Sequence, residues 1–139
     1  MTSFEKAQFV VGVGAQKAGT TWLYDYFRNH PDFCITHMKE LHYFDVRYYA
    51  DFSYDDYEKK MLRRFRDVYR INPDVFLRLC MSNDERCYKE YFKYLYKGQR
   101  AFGEITPIYA VLNSTVFSRI EGIHPGAKFN FLMRNPEDR

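Results

Sequence analysis

The stretch Phe9-Val10-Val11-Gly12-Val13-Gly14-Ala15-Gln16-Lys17-Ala18-Gly19-Thr20-Thr21-Trp22-Leu23 constrains the fold more than any other part of the chain. Its opening is a short, valine-rich apolar run, which suits a buried strand. From Thr20 onward, Trp22, Leu23, Tyr26 and Phe27 recur at helical spacing. Glycines at 12, 14 and 19 and a lysine at 17 lie between the two. A strand that runs through a glycine loop into a helix is the arrangement that binds phosphate. The first helical turn offers free N–H groups and the positive end of the helix dipole, and glycine lets the backbone approach an anion closely. Lys17 adds a full charge, and Thr20 and Thr21 add hydroxyl donors. The plain alternative is an ordinary strand–helix turn with an exposed lysine. The order is not that of a Walker A loop, whose lysine follows the last glycine and directly precedes Ser or Thr. Here Lys17 comes before Gly19.

The chain has the length of one domain, 139 residues. Its net charge of +3 fits an anionic ligand but does not by itself imply nucleic acid or a membrane. Tyr and Phe raise the aromatic fraction to 19%, and most of these rings belong in a core. Cys34, Cys80 and Cys87 are an odd number without CxxC spacing, which reads as free thiols in a reducing compartment. No apolar signal segment opens the chain and no run reaches membrane-span length, so the expectation is a cytoplasmic protein without a membrane span.

Strands are expected at Gln8 to Val13, Phe33 to Thr36, Ala101 to Ile105 and Lys128 to Met133. Helices are expected from Thr20 to about Asn29 and in one or two segments from Tyr109 to Gly122. Thr2 to Ala7 reads as a polar lead-in. The stretch at about 48–98 reads as a helical insertion. Within it, Tyr57, Met61, Phe65 and Val68 share one face and Lys59, Arg63, Arg66 and Arg70 another. Asn72-Pro73 starts a helix, and Ser82-x-x-Glu85 is a capping box for the next, with Tyr88, Phe92 and Leu95 buried and Lys89, Lys93 and Lys97 outside. Strands alternating with helices indicate an α/β fold.

Between the second strand and that insertion lies His37-Met38-Lys39-Glu40-Leu41-His42-Tyr43-Phe44-Asp45. If it is extended, Glu40 and His42 point the same way, with Lys39 and Leu41 opposite. A carboxylate and an imidazole converging beside a phosphate loop form an acid–base pair. The plain reading is a polar loop after a strand. His37 and His42 are too few ligands to indicate zinc, so no metal is expected.

Lys17-x-Gly19-Thr20-Thr21-Trp22-Leu23 resembles the 5′-phosphosulfate loop of the sulfotransferases that use 3′-phosphoadenosine 5′-phosphosulfate (PAPS). Lys39-Glu40-x-His42-Tyr43-Phe44-Asp45 resembles a block of the carbohydrate sulfotransferases of the heparan sulfate type. Gly103-Glu104-x-Thr106-Pro107-x-Tyr109 is similar to a third block of that family, and Arg134-Asn135-Pro136-x-x-Arg139 to the start of its 3′-phosphate loop. The blocks stand in the family's order. The resemblance implies a P-loop-like parallel sheet flanked by helices and sulfonate transfer from PAPS to an acceptor hydroxyl, expected on a carbohydrate, the acceptor being a small molecule or a polysaccharide. It implies that Lys17, Ala18, Gly19, Thr20, Thr21 and Trp22 hold the 5′-phosphosulfate and that Arg134 holds the 3′-phosphate. Lys17 would act on the leaving oxygen and Glu40 as base, with His42 and Asp45 supporting it or sharing that role.

Ile105 departs from the pattern: many members carry there a lysine assigned to catalysis, and that role cannot pass to isoleucine. The family's later serine and its glycine- and basic-rich loop fall beyond Arg139. Residues 1–139 therefore correspond to the N-terminal part of one sulfotransferase domain, expected to be inactive alone. The rival readings are a P-loop nucleotide kinase or NTPase, and a non-catalytic fragment that binds adenosine phosphates or a partner.

Overall fold

The computed structural model describes residues 2–49, 54–67, 73–81, 84–135 and 137, with the side chains of 54, 55 and 64–67 left aside. The elements run α1 (Ser3–Lys6), β1 (Gln8–Gly14), α2 (Thr20–Asn29), β2 (Phe33–Ile35), α3 (Phe44–Tyr48), α4 (Tyr54–Asp67), α5 (Pro73–Cys80), α6 (Glu85–Leu95), β3 (Ala101–Ile105), a 3-10 turn (Pro107–Val111), α7 (Ser114–Ile123) and β4 (Lys128–Phe131). The strands form one sheet in the order β2-β3-β1-β4, and every neighbouring pair is parallel. This is the expected α/β architecture, a parallel sheet flanked by helices.

Alternation along β1 divides the core. Phe9, Val11 and Val13 point to one face and join Phe102 of β3, Tyr88, Tyr91, Phe92 and Leu95 of α6, and Val116 and Ile120 of α7. The Phe9 and Phe102 rings stack at 5.0 Å, and Phe92 meets Phe9 edge-on at 5.5 Å. On the other face Ile105 packs with Leu23 and Tyr24 of α2 and Ile35 of β2. Glycine at position 12 makes room for it, since a Cβ there would lie 2.8 Å from the Ile105 side chain. Tyr57, Met61 and Val75 of α4 and α5 form a third cluster with Val46 of α3.

Some local expectations change. Thr2 to Ala7 is not merely a lead-in: Thr2 and Glu5 make a reciprocal capping box on α1, and Phe4 and Ala7 enter the core. The cap of α6 is Asp84, whose side chain accepts the Arg86 N–H. The readings of Phe65, Arg66, Val68, Arg70, Asn72 and Ser82 lie outside the described residues or side chains. The expected buried stripe of α6 is present and gains Tyr91.

Parallel pairing has a consequence for function. The glycine loop follows β1, the Lys39–Asp45 block follows β2, Thr106 to Tyr109 follows β3, and Arg134 follows β4. Parallel strands end on one edge of the sheet, so all these segments gather along its carboxyl edge, where open α/β sheets bind ligands.

Candidate active site

The glycine loop is stitched to the end of β4. Ala15 N–H donates to the Leu132 carbonyl at 2.9 Å, and Leu132 N–H to that of Gly14 at 2.8 Å. Lys17 and Gly19 both take left-handed backbone, with φ of 58° and 101°. Glycine adopts this readily, whereas a lysine rarely does and is held there by the turn. Gly19 is the N-cap of α2 and supplies no side chain to cap it. The first intrahelical bond is from Leu23 N–H to the Gly19 carbonyl, 3.1 Å. The N–H groups of Thr20, Thr21 and Trp22 precede it and are the orphan donors of the helix start. Lys17 and Thr21 are exposed there, while Thr20 is buried. Trp22 is 68% exposed and stacks on Tyr26 with the ring planes 17° apart, a flat aromatic surface beside the loop.

The block after β2 is not extended, so the expected alternation of faces does not hold. His42 lies at φ 50°, in left-handed backbone. Glu40 and His42 nevertheless converge: His42 Nε2 is 3.2 Å from Glu40 Oε2, and its Nδ1 is 2.7 Å from Oδ2 of the fully buried Asp45. Leu41 is buried. Lys39 is not opposite the pair. Its Nζ lies 3.8 Å from Glu40 Oε1 and 2.5 Å from Thr21 Oγ1 in the first turn of α2. Lys39 therefore connects this block to the glycine loop, a contact that the reading of the block as extended did not disclose.

The charges of this array reinforce one another. Burial works against a charged His42, but hydrogen bonds to Asp45 and Glu40 outweigh it and push the imidazole up to about 9. At neutral pH it is an imidazolium between two carboxylates. The hydrogen bond to His42 in turn holds the Glu40 carboxyl below the usual range. Glu40 is about a third exposed, so it can meet a ligand while ionised.

Arg134 is exposed just beyond Leu132, the residue stitched to the glycine loop, and Pro136 and Arg139 lie outside the described residues. Ile105 is 1% exposed in the α2-side cluster and supplies no charge. His37 turns away to Asp74, 3.0 Å. Among the described residues, no group of three or more His, Cys, Asp or Glu is placed to hold a metal, and no helix is long and apolar enough to cross a membrane. The third block gains a role that its sequence did not disclose: Leu41 N–H donates to Thr106 Oγ1 at 3.1 Å and Tyr43 N–H to the Tyr109 hydroxyl at 3.0 Å. The segment that follows β3 thus supports the loop that carries Glu40 and His42.

No curated protein and no solved structure matches the chain. A family model described as the sulfotransferase family matches residues 9–139. The match takes in β2, β3, β4 and β1 from its second residue, with the glycine loop and the carboxylate–imidazole array at the edge of the sheet, and the chain belongs to the sulfotransferase family of sulfonyl-transferring enzymes.

Proposed function

We propose that the chain serves the transfer of a sulfonate group from PAPS to an acceptor hydroxyl on a carbohydrate, with residues 1–139 forming part of one catalytic domain. The observation that carries this reading is the Lys39–Thr21 contact, which joins an anion-binding helix start to an ionised carboxylate. The donor set fits a nucleotide phosphosulfate: orphan N–H groups at Thr20 to Trp22, the lysines at 17 and 39, the exposed Thr21 hydroxyl and an exposed indole.

PAPS, when bound, supplies an activated sulfonate whose S–O bond to the 5′-phosphate is the one broken. Lys17 and the N–H groups around Gly19 to Trp22 would hold the phosphosulfate and neutralise charge on the leaving oxygen. That is the main requirement of a displacement in which positioning and electrostatics do most of the work. Lys39 adds a second cation beside Thr21. Arg134 presents a planar guanidinium suited to the 3′-phosphate. Glu40 accepts the proton of the acceptor hydroxyl, and His42, held by Asp45, orients Glu40. Lys59, Lys60 and Arg63 on α4 and Lys93 and Lys97 on the α6 side are exposed and suit an anionic polysaccharide.

The test is calorimetry of the full-length protein with adenosine 3′,5′-bisphosphate, ATP and AMP, followed by transfer of labelled sulfonate from PAPS to polysaccharide acceptors. The bisphosphate should bind far more tightly than ATP or AMP. Equal or better binding of ATP would favour a nucleotide kinase. Tight bisphosphate binding without turnover on any acceptor would favour a non-catalytic binding protein.

A further inference from the structure

The backbone from Leu41 to Phe44 has Glu40 and Asp45 at its flanks and His42 within it. Leu41, Tyr43 and Phe44 are buried and His42 partly so, and apart from the start of α3 the stretch belongs to no helix or strand, so its polar groups need partners elsewhere. The amides find theirs on one side. Leu41 N–H donates to Thr106 Oγ1, and Tyr43 and Phe44 N–H both donate to the Tyr109 hydroxyl, at 3.0 and 3.4 Å. The Thr106 hydroxyl donates to Glu104 Oε2 at 2.7 Å and the Tyr109 hydroxyl to Glu104 Oε1 at 3.2 Å, and the Tyr88 hydroxyl of α6 donates to Oε1 as well. Each of the two relaying hydroxyls accepts from the loop and has one proton to give, so the Glu104 carboxyl terminates both relays.

The carbonyls find their partners on the other side. Arg78 of α5 donates from Nε to the Leu41 carbonyl at 2.5 Å and from Nη2 to that of His42 at 2.7 Å. The Tyr57 hydroxyl of α4 reaches the Leu41 carbonyl at 3.1 Å. The Arg78 guanidinium also lies over the rings of Tyr57 and Tyr43, at 4.9 and 5.5 Å. Arg78 and Glu104 are each 1% exposed. Burying such groups is costly unless they are well hydrogen-bonded; Arg78 bonds this short loop directly, and Glu104 accepts from the two hydroxyls that hold it.

We propose that Arg78 and Glu104 are positioning residues, a clamp of two buried ionisable groups that sets the backbone of Leu41 to Phe44 and through it the Glu40–His42–Asp45 array; the catalytic consequence rests on the reading that this array serves the acceptor hydroxyl. The clamp accounts for His42. A non-glycine residue keeps left-handed backbone only where its surroundings over-determine it, and here the peptide groups on both sides of His42 are tied. Relaxing that backbone carries the imidazole away from one or both carboxylates.

The test uses the full chain with Thr106→Val, which keeps the side-chain shape, and with Arg78→Met and Arg78→Lys. Three quantities are read: the His42 ring titration by NMR, the affinity for adenosine 3′,5′-bisphosphate by calorimetry, and kcat and KM with PAPS. In folded Thr106→Val and Arg78→Met the His42 midpoint should move from about 9 toward 6.5. The bisphosphate affinity should stay within about 3-fold, while kcat falls by roughly 10–100-fold, the scale of a small misplacement of catalytic groups. Arg78→Lys, which keeps the charge, should recover part of both losses. Variants that fold and melt lower, yet keep the wild-type His42 titration and kcat, would overturn the clamp and leave these residues as scaffold. A shifted His42 titration in a protein whose wild type transfers no sulfonate would support the clamp and overturn only the sulfonate reading.

Discussion

The Lys39 ammonium donates to Thr21 Oγ1 across 2.5 Å, tying the loop after β2 to the first turn of α2. An exposed contact of this kind contributes little to stability, because a long side chain loses freedom to hold it and solvent screens the charge. Its effect is local: a second cation stands where the helix start offers its free N–H groups. Lys39→Met should therefore leave the melting temperature nearly unchanged and weaken adenosine 3′,5′-bisphosphate binding about 10–100-fold, the worth of one charge-assisted hydrogen bond. Calorimetry beside a thermal melt checks this, and unchanged affinity would make the contact incidental.

On the proposed reading Lys17 faces the same ligand from the turn itself. A charge that acts mainly in the transition state lowers kcat more than it raises KM when removed. Lys17→Ala should lose roughly 10²–10³-fold in kcat, the size of one lost electrostatic stabiliser. Steady-state kinetics on the full-length enzyme decides it, and near-normal turnover would reduce Lys17 to a surface residue.

Glu40 and His42 separate by substitution. Glu40→Gln keeps the shape but cannot take a proton, so turnover should drop about 10²–10⁴-fold while nucleotide affinity holds. On the proposed reading Glu40 is the base and His42, as an imidazolium, its partner. A silent Glu40→Gln with an inactive His42→Ala would reverse the roles. Leu41 lies between them but is fully buried. Leu41→Ala should cost about 2–5 kcal/mol of stability, measured by denaturant titration.

The pH dependence of stability follows from the same array. His42 is raised in the folded state, from 6.5 to about 9. Its contribution is fully present below pH 6.5 and is lost as pH rises through about 9. Glu40 is lowered, so its contribution is present above its ordinary value of 4.5 and fades as pH falls below it. Denaturant midpoints should decline between pH 6.5 and 9 in the wild type. They should decline less in Asp45→Asn, which removes the buried carboxylate that accepts from Nδ1. Equal slopes in the two proteins would mean that His42 does not gain its proton affinity from Asp45.

The sequence by itself determined the strand, glycine loop and helix from Gln8 to Asn29, the other three strands to within a few residues, and the order of the motif blocks. These follow from short-range regularities: valine-rich runs, the 3.6-residue period, and glycine where the backbone turns. Gly19 shows this directly, because its φ of 101° is a local demand that glycine meets readily. The site was legible as a set of residues and not as a geometry. Only the tertiary structure decided that His42 is left-handed, that Lys39 reaches Thr21, and that Glu104 and Arg78 hold the loop between Glu40 and Asp45. Each of these depends on partners from separate elements, β3 and α5 lying about the loop in space but far along the chain. The need of a buried peptide group for a partner does not specify which distant residue will supply it; the packing of the sheet and helices makes that choice.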